Sequence, residues 1–171
     1  MSILKEIRET DDIKTLMRAF LEIKKRLTDE DLGVANSLTD PVGQYAEYLT
    51  QKVYGGKRTN NGTAGHDLID RKKRKIEVKG RVKKHDNYKP KTYINDSNVS
   101  GKNFDYLVYI VFDNDFEVEY AFGITRSNFK SAFKTVEHNN SPPKWVIKAR
   151  EEILENPLVE NITNVFRNAY K

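Results

Sequence analysis

Residues 106–112, YLVYIVF, limit what this chain can fold into more than any other stretch. Apolar and aromatic residues run from Tyr106 to Phe112 without a polar break, bounded by Asp105 and Asp113. A strand with one wet face alternates; a strand with no alternation needs cover on both faces. The run is therefore read as the central strand of a sheet with a layer on either side. Asp113-Asn114-Asp115 is a turn, and Phe116 to Ile124 is the next strand. Helical spacing occurs elsewhere. Ile13, Leu16, Met17, Phe20, Ile23 and Leu27 recur at threes and fours within a helical segment 1–30, read as a packing helix with dimer formation as the alternative. Asp40 caps a helix with Pro41 at its first position. This helix runs to about Val53, with Val42, Ala46, Leu49 and Val53 inward. Thr125 or Ser127 opens a helix carrying Phe129, Ala132 and Phe133. Trp145 to Leu154 reads as helix, and Asn156-Pro157 starts a last one. This order predicts an α/β domain, a mixed central β-sheet flanked by helices.

Residues 65–84, GHDLIDRKKRKIEVKGRVKK, carry the chemistry. They read as two strands, His66 to Asp70 and Lys75 to Arg81, joined by a basic turn. Side chains two apart on a strand share a face, so Glu77 and Lys79 project together, while Ile76 and Val78 point to the other face. If the strands pair as a hairpin, Asp67 comes close to Glu77. Two carboxylates and a lysine in one place suit metal-assisted hydrolysis of a phosphodiester. Mg²⁺ prefers hard oxygen ligands and keeps part of its water shell. It activates a bound water and offsets charge on the phosphate, and a lysine adds a further positive charge.

Gly65-His66-Asp67 followed by Ile76-Glu77-Val78-Lys79 resembles the PD-(D/E)XK nuclease superfamily, and most of all a small type II restriction endonuclease. The proline that precedes the aspartate in that family is absent. The resemblance spans roughly residues 40–125 in the order of elements. It implies a restriction-endonuclease-like fold: one domain over residues 1–171, with its core at roughly 40–135. It implies Mg²⁺ as cofactor, Asp67, Glu77 and Lys79 as catalytic residues, and Asp67, Glu77 and Val78 as the metal set. Glu47, in GQYAEYL, occupies the place of a helper glutamate on the preceding helix; a glutamate off the apolar stripe is otherwise simply solvated. Double-stranded DNA and a homodimer are the implied partners. A junction resolvase, a repair nuclease, a transposon-end nuclease and a catalytically inactive nucleic-acid-binding protein of the same fold are the alternatives.

Charge is unevenly spread. Residues 71–91 hold eleven Lys or Arg against two acids, +9 in a chain whose total is +5. Such asymmetry suits a surface facing a polyanion, although a solvated hairpin accounts for it too. Lys57, Arg58 and Asn60 in the loop before the motif, and Arg81, Lys83 and Lys84 after it, are the candidate nucleic-acid contacts. The stretch from Val82 to Gly101 reads as a long polar linker with Tyr88 and Tyr93 among its lysines. The absence of cysteine, of a signal-peptide pattern and of any membrane-length apolar run predicts a cytoplasmic protein. No glycine-rich phosphate loop occurs, so no nucleotide cofactor is expected, and the three histidines lack zinc-ligand spacing.

Overall fold

The computed structural model describes the chain except residues 1–4, 6, 8, 11, 29–33, 35–39, 60–64, 84–89, 139–140 and 170–171. Its elements are α1 (Ile13–Leu27), α2 (Pro41–Tyr54), β1 (Lys57–Arg58), β2 (Leu68–Ile69), β3 (Lys75–Val82), β4 (Lys91–Asn95), α3 (Asp96–Ser100), β5 (Tyr106–Phe112), β6 (Val118–Thr125), α4 (Arg126–Ala132), β7 (Lys134–His138), β8 (Ser141–Lys148), a 3₁₀ turn (Glu151–Glu155), β9 (Glu160–Asn161) and α5 (Thr163–Asn168). A six-stranded sheet runs in the order β1-β2-β3-β5-β6-β9, and a three-stranded sheet in the order β4-β8-β7. In the large sheet only β3 and β5 are parallel. The fold is thus mixed α/β, with a mixed sheet flanked by helices.

β5 is buried along its whole length. Its two faces feed two separate cores. Tyr106, Val108, Ile110 and Phe112 pack with Ala46 and Leu49 of α2 and Phe166 of α5. Leu107, Tyr109 and Val111 pack with Ile94, Phe129, Trp145 and Ile147, under the small sheet, α3 and α4. Covering both faces is what the unbroken apolar run requires. β3 lies beside β5 in register, Glu77 opposite Leu107 and Lys79 opposite Tyr109. Ile76 and Val78 therefore belong to the α2 core, while Glu77 and Lys79 turn to the other face.

α2 begins with Asp40, whose carboxylate accepts from the Gly43 amide at 2.9 Å, and ends at Gly55, where φ is +68°. It crosses β3 at Gly80. A Cβ there would stand 2.7 Å from the Ala46 Cβ and 2.8 Å from the Val42 carbonyl oxygen. Glycine in a strand often marks such a close approach. It seats the helix carrying Glu47 directly against the strand carrying Glu77 and Lys79.

Several sequence expectations are corrected. The first motif strand is only Leu68–Ile69, with Asp67 and Asp70 flanking it. The linker after β3 holds a strand and a helix, β4 and α3. Trp145 to Leu154 is not a helix: β8 runs to Lys148 and a 3₁₀ turn follows. The last helix starts at Thr163, after β9. The expected stripe of α2 does pack on the core, Ala46 and Leu49 buried and Val42 and Val53 partly so, while Gln44 and Thr50 are buried as well. α1 buries no residue among those described, and Ile13 is 75% and Phe20 56% exposed, so it does not act as a packing helix on either core. No helix among the described residues is long and apolar enough to cross a membrane.

Candidate active site

β2 and β3 are antiparallel, with Leu68 opposite Ile76. One step further along that register, Asp67 faces Glu77. Two contacts hold it there: the Asp67 amide donates to the Ile76 carbonyl at 2.9 Å, and the Val78 amide donates to Asp67 Oδ2 at 2.8 Å. β2 ends here, so beyond Ile76 the edge of β3 pairs with no strand on this side among the described residues, and the carboxylate of Asp67 takes the place of one. In a strand the N–H and C=O of one residue leave on the same edge. The Val78 carbonyl thus faces the side on which Asp67 sits.

Lys79 Nζ donates to Glu77 Oε1 at 2.5 Å. Glu77 is buried and Lys79 partly so. Beyond Lys79, the hydroxyls of Tyr109 and Thr92 lie 3.0 Å apart and close the wall. From the other side, α2 brings Glu47, whose carboxylate receives the Gln44 amide at 3.5 Å. Asp40, Gly43, Glu47, Asp67, Val78, Lys79 and Arg81 share a cleft of about 300 Å³ with Thr92 and Tyr93 of β4.

Charges in this cleft are out of balance. Burial first, then the charge of Glu77, raise the Asp67 carboxyl to about 6, against the opposing pull of Lys79 and the Val78 amide. Burial first, then Asp67, raise Glu47 to about 7, with Arg58 and Lys79 opposing. Burial works to lower the ammonium of Lys79, but Glu77 and Asp67 outweigh it and its pKa rises. One cation held by competing carboxylates is an arrangement that accepts another positive charge. Asp67 Oδ2 and Glu77 Oε1 are engaged, which leaves Asp67 Oδ1 and Glu77 Oε2. With the Val78 carbonyl these are hard oxygen donors, the chemistry that a small divalent cation takes with water completing its shell. Among the described residues no group of three Asp, Glu, His or Cys side chains converges at metal-binding distance; Glu47 would enter such a set only through water.

The outer cations divide. Arg81 lines the cleft and donates to its neighbour's Gly80 carbonyl at 2.6 Å. Arg58 donates to the Val34 carbonyl at 2.8 Å while remaining close enough to act on Glu47. Lys57 is exposed on β1. Lys83 forms an ion pair with Glu119 and does not line the cleft. Asn60 and Lys84 lie outside the described residues. Sequence reasoning missed Asp40, Gly43 and Thr92 as cleft residues. Gly80, directly after Glu77-Val78-Lys79, was the one local signal that another backbone comes close. No protein-family model matches this chain, and no curated protein matches it either.

Proposed function

We propose that the protein is a Mg²⁺-dependent endonuclease of the PD-(D/E)XK type that hydrolyses DNA phosphodiester bonds, built on a restriction-endonuclease-like fold and acting as a homodimer on duplex DNA. The observation that carries this reading is Asp67 lining the cleft beside the buried Glu77, whose charge acts on it, with Lys79 Nζ 2.5 Å from Glu77. Asp67, Glu77 and the Val78 carbonyl would hold the ion. When bound, Mg²⁺ supplies an activated water and a counter-charge for the phosphate. Lys79 presents its ammonium to the phosphate oxygens on the side where charge builds. Glu47, with its carboxyl near 7, exchanges a proton at neutral pH and is assigned proton transfer with solvent water. Arg81, Arg58 and Lys57 hold the backbone of the nucleic acid by charge. The exposed apolar side of α1 supports association of two copies.

Incubation of the purified protein with supercoiled plasmid and Mg²⁺ tests the reading. Nicked and linear products, lost in Glu77→Gln, are expected. A second reading is a silent nucleic-acid-binding protein of the same fold. Retained binding with intact plasmid would select it.

A further inference from the structure

The outer face of the small sheet is a groove of about 790 Å³ that the endonuclease reading leaves unused. Its floor is apolar: Phe133, Val146 and the ring of Tyr93, which is 45% exposed. Its rim is cationic: Lys91, Lys134, Lys148 and Arg150, with Glu152 the one acid among the described lining residues. None of the four cations makes an ion pair among the described residues.

Register sharpens the point. Lys91 stands directly opposite Lys148 across β4 and β8, and Val146 lies between Tyr93 on one side and Lys134 on the other. Like charges directly opposite each other in a sheet are unfavourable. An anion laid across the pair removes that cost. The groove neighbours the cleft, since Tyr93 lines both.

An aromatic and aliphatic floor inside a ring of cations matches a nucleobase with its phosphates. Duplex DNA presents phosphates but keeps its base faces stacked, so it cannot fill the floor. We infer that the groove of β4, β7 and β8 binds an unpaired DNA strand, one base stacked on Tyr93 and its phosphates on Lys91, Lys134 and Lys148. The favoured substrate is then a duplex DNA that carries a single-stranded segment adjoining the cut site. The link to the cut site rests on the endonuclease reading; the groove's own chemistry does not.

The test measures binding in EDTA, so cleavage plays no part. Fluorescence anisotropy is recorded on a labelled oligothymidylate of about 12 nucleotides, within the span that single-strand grooves cover, and on a blunt duplex of the same length. The double variant Lys134→Ala/Lys148→Ala is expected to lose about tenfold or more in affinity for the single strand. Its salt slope should fall by about 1.4, two phosphate contacts at roughly 0.7 each, with duplex affinity within about twofold. Tyr93→Ala should weaken single-strand binding about tenfold while Tyr93→Phe keeps it, because stacking needs the ring alone. An iodouracil-substituted strand should photo-crosslink to Tyr93. Equal losses on single strand and duplex, an unchanged single-strand affinity, or crosslinks confined to other residues would overturn the inference. So would displacement of the oligonucleotide by polyglutamate as readily as by unlabelled strand, which would give the groove to an acidic protein. A protein that passes these tests yet leaves plasmid intact keeps the groove and loses the endonuclease; the reverse result separates them the other way.

Discussion

Asp67 and Asp70 stand at the two ends of the same two-residue strand, β2, and meet opposite environments. Asp70 is 3% exposed. Its two oxygens accept from the Arg74 backbone amide and from Arg74 Nε, each at 2.8 Å. The Arg74 guanidinium in turn lies over the rings of Tyr106 and Tyr54. Burial opposes the charge of Asp70, but these donors prevail and its pKa falls. Asp67 has one amide donor and a neighbouring carboxylate, and its pKa rises to about 6. A buried carboxylate whose oxygens are both answered closes a turn. One pressed against another carboxylate holds affinity for cations in reserve, at the expense of stability.

Substitution separates the two most sharply. Asp67→Asn is expected to reduce plasmid cleavage by about 10³-fold, the equivalent of roughly 4 kcal/mol, with a melting temperature equal to or above that of the parent. Asp70→Asn should leave cleavage per folded molecule within a few-fold and lower stability by about 1–3 kcal/mol, since Arg74 loses its partner. Cleavage and thermal unfolding measured on the same samples decide. A stability loss in Asp67→Asn with cleavage retained would reverse the assignment.

Lys79 extends the contrast to the cation. Lys79→Ala should lose about 10²-fold or more in cleavage yet bind DNA normally with Ca²⁺ present. Lys79→Arg keeps the charge without the compact shape, so partial recovery points to charge alone and no recovery to proton transfer. Loss of Ca²⁺-dependent binding in Lys79→Ala would make it a binding residue.

Stability against pH reads both aspartates in one curve. Groups whose folded pKa is raised, Asp67 to about 6 and Glu47 to about 7, bind protons more tightly in the folded state. Stability of the metal-free protein therefore falls as pH rises from about 4 through 7, by about 1–3 kcal/mol once Glu47 is discounted for its contact with water. Asp70, with its pKa lowered, contributes stability above the unfolded carboxylate range that is lost as pH falls through its folded value. A maximum near pH 4 is expected in denaturant titrations. Asp67→Asn should flatten the neutral limb and Asp70→Asn the acid limb. Mg²⁺ should raise the melting temperature more at pH 8 than at pH 5.5, because protons compete for the same oxygens. A flat neutral limb in the parent would remove the crowded-carboxylate account.

The smallest effect concerns Arg81 and Lys83, two residues apart on the same segment. Arg81 lines the cleft, whereas Lys83 is held by Glu119. Arg81→Ala should reduce the salt slope of duplex binding by about one unit and Lys83→Ala by less. Equal slopes would show that the ion pair gives way to DNA.

Much of this was legible in the sequence wherever one physical demand dominated. The unbroken run of β5 admits few structures, and its limits, Tyr106–Phe112, came out as read. Alternation along β3 placed Glu77 with Lys79 and away from Val78, and hairpin pairing brought Asp67 to them. Residues 145–154 failed because two periods coincide. Trp145, Ile147 and Ala149 are buried in strand alternation, while Val146, Ala149 and Ile153 also satisfy helical spacing. Pro142 and Pro143 sit in β8 ahead of its pairing with β4, which begins at Lys144. Thr92 and Tyr93 were out of reach for a different reason. They enter the cleft through a second sheet whose position depends on the packing of Ile94 and Ile147 beneath β5, and no local pattern encodes that.

The candidate site is assembled from parts of unequal tenacity. Glu77 and Lys79 ride on a strand joined to β5 by seven residue pairs. Asp67 rides on a ribbon whose links, β1 to β2 and β2 to β3, are two pairs each. Short ladders at an edge open at far lower free energy than the whole domain. The amide of Val78, at an edge that pairs with no strand among the described residues, is covered by the carboxylate of Asp67. Its hydrogen exchange with solvent is thus a clock for the docking of Asp67, ticking through excursions too brief and too local for a melting curve to register.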